Sequence, residues 1–322
     1  MNFSRIKRGG LVTSLAVVAF AVSACSSDDT TTTSANGAPA LSGDVAIDGS
    51  STVAPLSEAA AVDFADVEAG VNVTVATSGT GGGFKVFCAG ETDISDASRP
   101  IKDEEAEACA DAGVEFTEIV IANDGLSVVV NPENDWAQCL TVEQLSKIWA
   151  PEAEGTVMNW NQVDSSFPDQ PLTLFGPGTD SGTFDYFTDE INGEEGASRA
   201  DYSPSEDDNV LVQGVAGDEG GLGYFGLSYA VENADILKLV EVDGGNGCVT
   251  PTIESVQDGT YTPLGRPLFI YVNNASYTGK AQVKAFVDYY VAAYEAVATA
   301  AGMVPLTTEQ VTTAQDELAT LG

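Results

Sequence analysis

Apolar residues along this chain recur in two spacings, one suited to strands and one to helices, and from about residue 45 the two alternate. Val45-Ala46-Ile47 reads as a strand. Val53 to about Ala69 follows as a helix, with Leu56, Ala60, Phe64 and Val67 on one face and Pro55 in its first turn. Val71 to Val75 is again strand-like. A helix carrying Phe84, Phe87 and Cys88, a strand near Asp93-Ile94 and an acidic helix from Asp103 to Ala112 come next. Phe116 to Ala122 and Leu126 to Val130 are near-continuous β-branched runs on either side of Asn123-Asp124-Gly125, the pattern of buried strands.

The middle of the chain repeats the alternation. Thr141 to Ala150 reads as a helix with Val142, Leu145, Ile148 and Trp149 on its apolar side, and a Pro, Gly and Asn-rich stretch follows. Strand Leu172 to Phe175 leads into a helix carrying Phe184, Phe187 and Ile191. A helix near Val210 to Val215 precedes the glycine-rich run Gly220 to Gly226. Late in the chain Pro267 to Val272 is a strong strand, and Ala281 to Ala301 an Ala, Val and Tyr-rich helix. Together these predict an α/β fold, a sheet with helices on its faces. Roughly 280 residues follow residue 40, enough for two domains. No internal repeat is visible.

Three of the predicted helices are preceded by a run of Ser, Thr and Gly: Asp48-Gly49-Ser50-Ser51-Thr52, Thr77-Ser78-Gly79-Thr80-Gly81-Gly82-Gly83, and Gly178-Thr179-Asp180-Ser181-Gly182-Thr183. A single run of this kind is adequately explained as an N-cap. Three suggest a shared oxyanion site. The first turn of a helix carries unpaired N–H groups and a partial positive charge, glycine lets a ligand approach the backbone, and hydroxyls add neutral donors. Two of the runs lie before residue 125 and one after, so a common site requires two lobes facing across a cleft, where ligands of α/β proteins commonly bind.

The N-terminus predicts where such a site would work. Arg5, Lys7 and Arg8 precede an apolar stretch from Leu11 to Val22, too short to span a bilayer, which ends in Val22-Ser23-Ala24-Cys25. Residues 1–24 read as a signal peptide, and the ending resembles a bacterial lipobox, which implies lipidation of Cys25. Ordinary secretion is the plainer alternative. Ser26 to Ala40 is a polar, small-residue tether that cannot form a core. Four cysteines remain beyond Cys25: Cys88, Cys109, Cys139 and Cys248. An even count in an exported chain favours disulfides, and the pairing Cys88–Cys109 with Cys139–Cys248 is preferred among the three that sequence allows.

Composition restricts the chemistry. The chain contains no histidine, which excludes a Ser-His-Asp triad, a His-based zinc site and a histidine acid-base. With 49 acids against 12 bases the net charge is −37, and three of the bases lie in the signal peptide. Nucleic acid is an implausible partner for such a chain. The acids read as a solvated surface rather than calcium ligands, since no Asp-x-Asp-x-Asp-Gly loop occurs. An acidic protein that holds an anion must shield it locally with dipoles and hydrogen bonds. Neither a metal nor a cofactor is expected.

Gly49-Ser50-Ser51-Thr52-Val53, Ser78-Gly79-Thr80-Gly81-Gly82-Gly83-Phe84, Asp93-Ile94-Ser95-Asp96-Ala97-Ser98-Arg99-Pro100-Ile101 and Gly178-Thr179-Asp180-Ser181-Gly182-Thr183-Phe184 resemble, in order and spacing, the successive motifs of phosphate-binding lipoproteins of ABC importers. The resemblance spans essentially the whole mature chain. It implies a two-lobed periplasmic-binding-protein fold that closes over inorganic phosphate and delivers it to a membrane permease. It also implies a monomer, held at the cell surface or in the periplasm by its lipid anchor alone. Lobe 1 would comprise 41–125, completed by 264–322, and lobe 2 would comprise 126–263, with hinges near 123–126 and 264–268.

Carried over by position, the contacts fall on Ser51, Thr52, Thr80, Ser181, Gly182 and Thr183. Two departures stand out. Pro177 occupies a position where one branch of the family has arginine, and Ser98 one where that branch has aspartate. Arg99 is expected to take the cationic role, its planar fork suiting an oxyanion, with an ion pair to Asp96 or Asp103 as the plainer alternative. Arg199, Lys85 and Lys102 are further candidate cations, each with a structural or exposed role as its simpler reading. The missing aspartate matters because a carboxylate can accept the proton of hydrogen phosphate while repelling sulfate. Asp180 or Asp96 would have to supply that acceptor, although Asp180 suits a helix cap equally well. Competing functions are binding of another tetrahedral oxyanion (sulfate, molybdate or a phosphonate), a surface or sensor role without transport, and catalysis with Ser181 as nucleophile, for which no base or metal cluster is evident.

Overall fold

The computed structural model describes residues 41–179 and 181–322. The predicted signal peptide, Cys25, the tether to Ala40 and Asp180 lie outside the described residues. In chain order the first elements are β1 (Gly43–Gly49), α1 (Ala54–Ala65), β2 (Val71–Ala76), α2 (Thr80–Cys88), β3 (Ile94–Ala97), α3 (Asp103–Ala112) and β4 (Phe116–Val130). Then come β5 (Cys139–Thr141), α4 (Val142–Trp149), α5 (Trp160–Val163), β6 (Thr173–Gly176), α6 (Gly182–Asn192), β7 (Ser203–Pro204), α7 (Asp208–Ala216), β8 (Gly221–Gly226), α8 (Leu227–Glu232), β9 (Lys238–Asp243), β10 (Cys248–Val249) and α9 (Ile253–Gln257). The chain returns through β11 (Gly265–Asn273) and ends in α10 (Asn274–Gly279), α11 (Ala281–Ala292), α12 (Tyr294–Ala300) and α13 (Thr308–Thr320).

The strands run in the order β2-β1-β3-β11-β4-β8-β6-β7, and β4 carries the sheet from one lobe to the other. Its first part pairs antiparallel with β11, from Asn273↔Phe116 to Gly265↔Gly125. Beyond Leu126 it pairs with β8 and β9. Two hydrophobic clusters lie on the two stretches. One gathers Phe64, Phe286, Val287 and Tyr290 beside Ile119, Ile121 and Leu268. The other gathers Trp149, Trp160, Phe187 and Tyr224 beside Leu126, Val128 and Leu264. Phe187 stacks on Tyr224 with ring centroids 3.7 Å apart, and Trp149 meets Tyr224 edge-on at 4.8 Å. The result is a two-lobed α/β molecule.

Several elements depart from the apolar pattern. Asn123-Asp124-Gly125 has turn composition, yet β4 passes straight through it. Continuous antiparallel pairing with β11 on one side leaves no room for a reversal, and both buried polar side chains have partners, Gln310 for Asn123 and Arg266 for Asp124. The glycines at 81–83 lie inside α2 rather than in a loop. Gly83 permits this, because a Cβ there would sit 2.5 Å from the Gly49 Cα and 2.9 Å from Ser95 Oγ. The long helix from Ala281 is two helices, broken at Ala293.

The cysteines form two disulfides, Cys88–Cys109 joining α2 to α3 and Cys139–Cys248 joining β5 to β10. The second spans 109 residues. A Cys139→Ser/Cys248→Ser protein is expected to lose about 4 kcal/mol of stability in this lobe, since so long a loop adds much entropy to the unfolded chain. All three tryptophans pack in or against that cluster. Urea unfolding followed by tryptophan fluorescence therefore reads the loss directly, and an unchanged midpoint would contradict it.

Candidate functional site

A cleft of about 770 Å³ opens where the N-termini of α1, α2 and α6 converge. Ser50, Ser51 and Thr52 line it from α1, Thr77 to Gly82 from α2, and Thr179 and Gly182 from α6. Each terminus is held in place from behind. Ser50 N–H donates to the Asp96 carbonyl at 2.9 Å, and Ser50 Oγ accepts from Thr52 N–H at 3.2 Å. Thr80 Oγ1 accepts from Ser98 N–H at 3.2 Å and shares a hydrogen bond with Ser98 Oγ at 3.1 Å. Ser181 caps α6 by accepting from Thr183 N–H at 3.2 Å. Three sets of first-turn N–H groups and several hydroxyls thus surround one space.

The lobes touch at this point. Thr52 Oγ1 lies 3.4 Å from the Gly182 carbonyl. A Cβ on Gly182 would come within 2.8 Å of that Oγ1 and 3.1 Å of Ser51 Oγ, so glycine is what allows the α6 terminus to approach α1. Of the residues selected from sequence, Ser51, Thr52, Thr80, Ser98, Arg99 and Gly182 line the cleft. Ser181 and Thr183 form the α6 cap and are not among the residues that line it. Asp180 lies outside the described residues.

Two selected residues have different surroundings from those expected. Asp96 does not face the cleft. It is fully buried in the first lobe, where Oδ1 accepts from Ser57 Oγ at 2.9 Å and Oδ2 has no partner among the described residues. Burial pushes its carboxyl up to about 8; the Ser57 bond opposes this, and Asp48 and Glu58 add to it. A proton acceptor for a ligand must be sought elsewhere. Arg99 stands on the lip, but its fork is taken by Glu105, with both N–H···O distances at 2.8 Å, and Nη1 also donates to the Pro100 carbonyl at 3.0 Å. Neither Asp96 nor Asp103 is its partner. The Glu105 hydrogen bond raises the Arg99 pKa further, so the charge is permanent, yet its best donors are committed.

The cation set deep in the cleft is Arg266, which the sequence reading did not select. It opens β11 opposite Asp124 in the antiparallel register. Its Nη2 reaches Thr52 Oγ1 at 3.2 Å, Nε and Nη2 lie 3.4 Å from Asp124 Oδ2, and the guanidinium carbon sits 3.2 Å from the Tyr186 ring centroid. Arg266 therefore bridges the α1 terminus, the crossing strand and the second lobe. Its rarity was a usable signal, since nine bases remain beyond residue 24. Arg199, by contrast, is buried on Asp201 and the carbonyls of Ile148 and Val157. Lys102 lines the lip, and Lys85 does not.

The facing wall of the second lobe is acidic: Asp185, Asp189, Glu190 and Glu195 all line the cleft. Burial raises the Asp185 carboxyl, Glu195 adds to the rise, and the neighbouring Ser51 and the charge of Arg266 oppose it. Burial likewise raises Glu190. Outside the cleft, Cys139, Glu241 and Cys248 cluster closely, but both sulfurs are in the disulfide and offer no thiolate.

The sheet crossing, the two cores and the cleft between them define a substrate-binding protein of the periplasmic type, and the chain belongs to the PBP superfamily, whose domain model matches residues 31–293. More narrowly, it belongs to the family that includes SphX and PstS. Protein SphX of Synechocystis sp. is 48% identical over 308 residues, spanning 96% of this chain and 88% of that protein. Phosphate-binding protein PstS of Staphylococcus saprophyticus is 39% identical over 277 residues, 86% of this chain and 84% of the relative. The crystal structure of a possible phosphate binding protein from Planctomyces limnophilus matches with a TM-score of 0.84 at 44% identity, over 88% of this chain and 99% of that one.

Proposed function

We propose that this protein binds inorganic phosphate in the cleft, outside the cytoplasmic membrane, and delivers it to the permease of an ABC importer. The observation that carries the reading is the meeting of three helix N-termini with Arg266 in one space, a set of donors suited to an anion. The relatives named for phosphate binding support the choice of ligand. No step of this function requires chemistry, and the protein acts as a binding protein rather than an enzyme. Residues 1–24 serve as the signal peptide, lipidated Cys25 anchors a monomer to the membrane, and 25–40 are the tether. Residues 41–125 with 264–322 move as one lobe against 126–263.

Within this reading Ser51, Thr52, Thr80, Ser98, Gly182 and the capped terminus at Ser181 and Thr183 supply neutral donors, and Arg266 the principal cation. Arg99 contributes field at the lip. Asp185 takes the part of proton acceptor. It occupies the first turn of α6 and lines the same cleft as Ser51 and Arg266. Calorimetric titration of the chain from Leu41 onward with phosphate, and separately with sulfate, tests the function. Tight phosphate binding with silent sulfate is expected, and no heat with either would refute it. Heat with sulfate alone would favour the alternative tetrahedral oxyanion. Asp185→Asn should keep phosphate binding and gain sulfate binding by at least about tenfold, because an amide can donate to a fully ionised oxygen and no longer repels it. Unchanged sulfate affinity would remove Asp185 from the role.

A further inference from the structure

The two strands that join the lobes at 123–126 and 264–266 are accompanied by a third segment. Between α12 and α13, Val304 pairs with Asn123 on the edge of β4 opposite β11, with Asn123 N–H to Val304 O at 2.8 Å and Val304 N–H to Asn123 O at 2.9 Å. At the crossing the sheet is therefore three strands wide, Pro267 and Val304 flanking Asn123. The helices on either side belong to the first lobe: Val297 and Ala298 of α12 and Ala314 of α13 are in its core. Val304 itself is buried in the core of the second lobe. Two side chains of that lobe grip the segment's backbone. Ser228 Oγ of α8 donates to the Gly302 carbonyl at 2.8 Å, and Gln257 Nε2 of α9 donates to the Pro305 carbonyl at 2.8 Å. On the first-lobe side the Asn123 and Gln310 amides bond reciprocally, at 3.1 and 2.8 Å.

We infer that residues 302–306 are a strap that restrains opening of the cleft. A rotation of the lobes about 125 and 265 moves α8 and α9 relative to α12 and α13, and the strap is bonded to both sides. It must either follow the second lobe and strain its connections to α12 and α13, or release Ser228, Gln257 and the Val304 pocket. The strap thereby adds a term to the closed form that involves no atom of the ligand site, and it sets how long a captured ligand stays. The inference rests on the reading that the lobes close over an anion.

The test compares the full chain with its Ser228→Ala/Gln257→Ala form. Two readouts are needed: release of radiolabelled phosphate in a chase, and amide hydrogen exchange at the cleft termini, residues 51–54 and 181–183, without ligand. Release about tenfold faster, with faster exchange at the cleft and unchanged exchange in the cores at Val128 and Val297, is the expected result. Val304→Ala should move both readouts in the same direction. Parental release and exchange in both variants would overturn the strap, as would faster exchange spread evenly through both cores, the mark of a merely structural role. If the parent takes up no phosphate, the ligand-free exchange still decides the strap, and only the functional reading falls.

Discussion

An Arg266→Gln protein is expected to bind phosphate at least about thirtyfold more weakly than the parent, a loss of about 2 to 5 kcal/mol. Three relations combine to place so much on one side chain. The guanidinium reaches Thr52 at the α1 terminus, is backed by Asp124, and lies over the Tyr186 ring in the second lobe, so it is oriented before any ligand arrives. Both it and Asp124 are largely shielded from water, with side chains 17% and 5% exposed, where charge interactions are screened little. Losing Arg266 also leaves Asp124 buried without its countercharge, so the double variant Arg266→Gln/Asp124→Asn is the needed companion. If the double variant binds as weakly as the single one, the loss belongs to the ligand contact. Parental affinity in Arg266→Gln would return the cationic role to Arg99, despite its engagement with Glu105.

The second large effect concerns stability and pH. Asp96 is buried, with a single hydroxyl partner on one oxygen, and burial pushes its carboxyl up to about 8 from the ordinary 3.8. A group whose folded pKa is raised holds its proton in the folded protein after the unfolded chain has lost it. Its contribution is complete below about pH 4 and is lost as pH rises toward 8, with no further change above that. The span corresponds to on the order of 5 kcal/mol for a group so buried. Asp96→Asn removes the titration. Relative to the parent it should gain stability steadily from pH 5 to pH 8 and then run parallel. Urea midpoints of both proteins at pH 5, 7 and 9 give the difference curve, and a flat difference would show that Asp96 ionises without penalty. Because the Asp96 carbonyl holds Ser50 N–H, the titration acts on the strand that supports the α1 terminus.

The site was half legible in the chain. Three Ser, Thr and Gly runs before helices marked all three termini that meet in the cleft, since capping and close backbone approach restrict residue type locally. A second cation in the cleft, Arg266, was not legible for the opposite reason. Arg99 sits inside a motif and Arg266 does not, but nothing local reveals that Glu105, six residues on, occupies the first, or that strand register sets the second beside Asp124. Asp96 shows the same limit, because a carboxylate in a polar motif reads as a site residue until its side-chain direction is known. The acidic wall at Asp185, Asp189, Glu190 and Glu195 was hidden in a net charge that spreads over the entire surface.

What the chain alone determined is the kind of element at most places and the chemistry of the helix starts, because periodicity, capping and glycine placement act over a few residues. It also excluded histidine chemistry outright. The tertiary structure decided which groups meet: a single strand through Asn123-Asp124-Gly125, Arg266 opposite Asp124, Asp96 turned into the core, and Val304 carried across to the other lobe. Those depend on pairings between residues far apart in the chain, 39 positions for Ser57 with Asp96 and 142 for Asp124 with Arg266. Their energies come from burial and register, which no local pattern encodes.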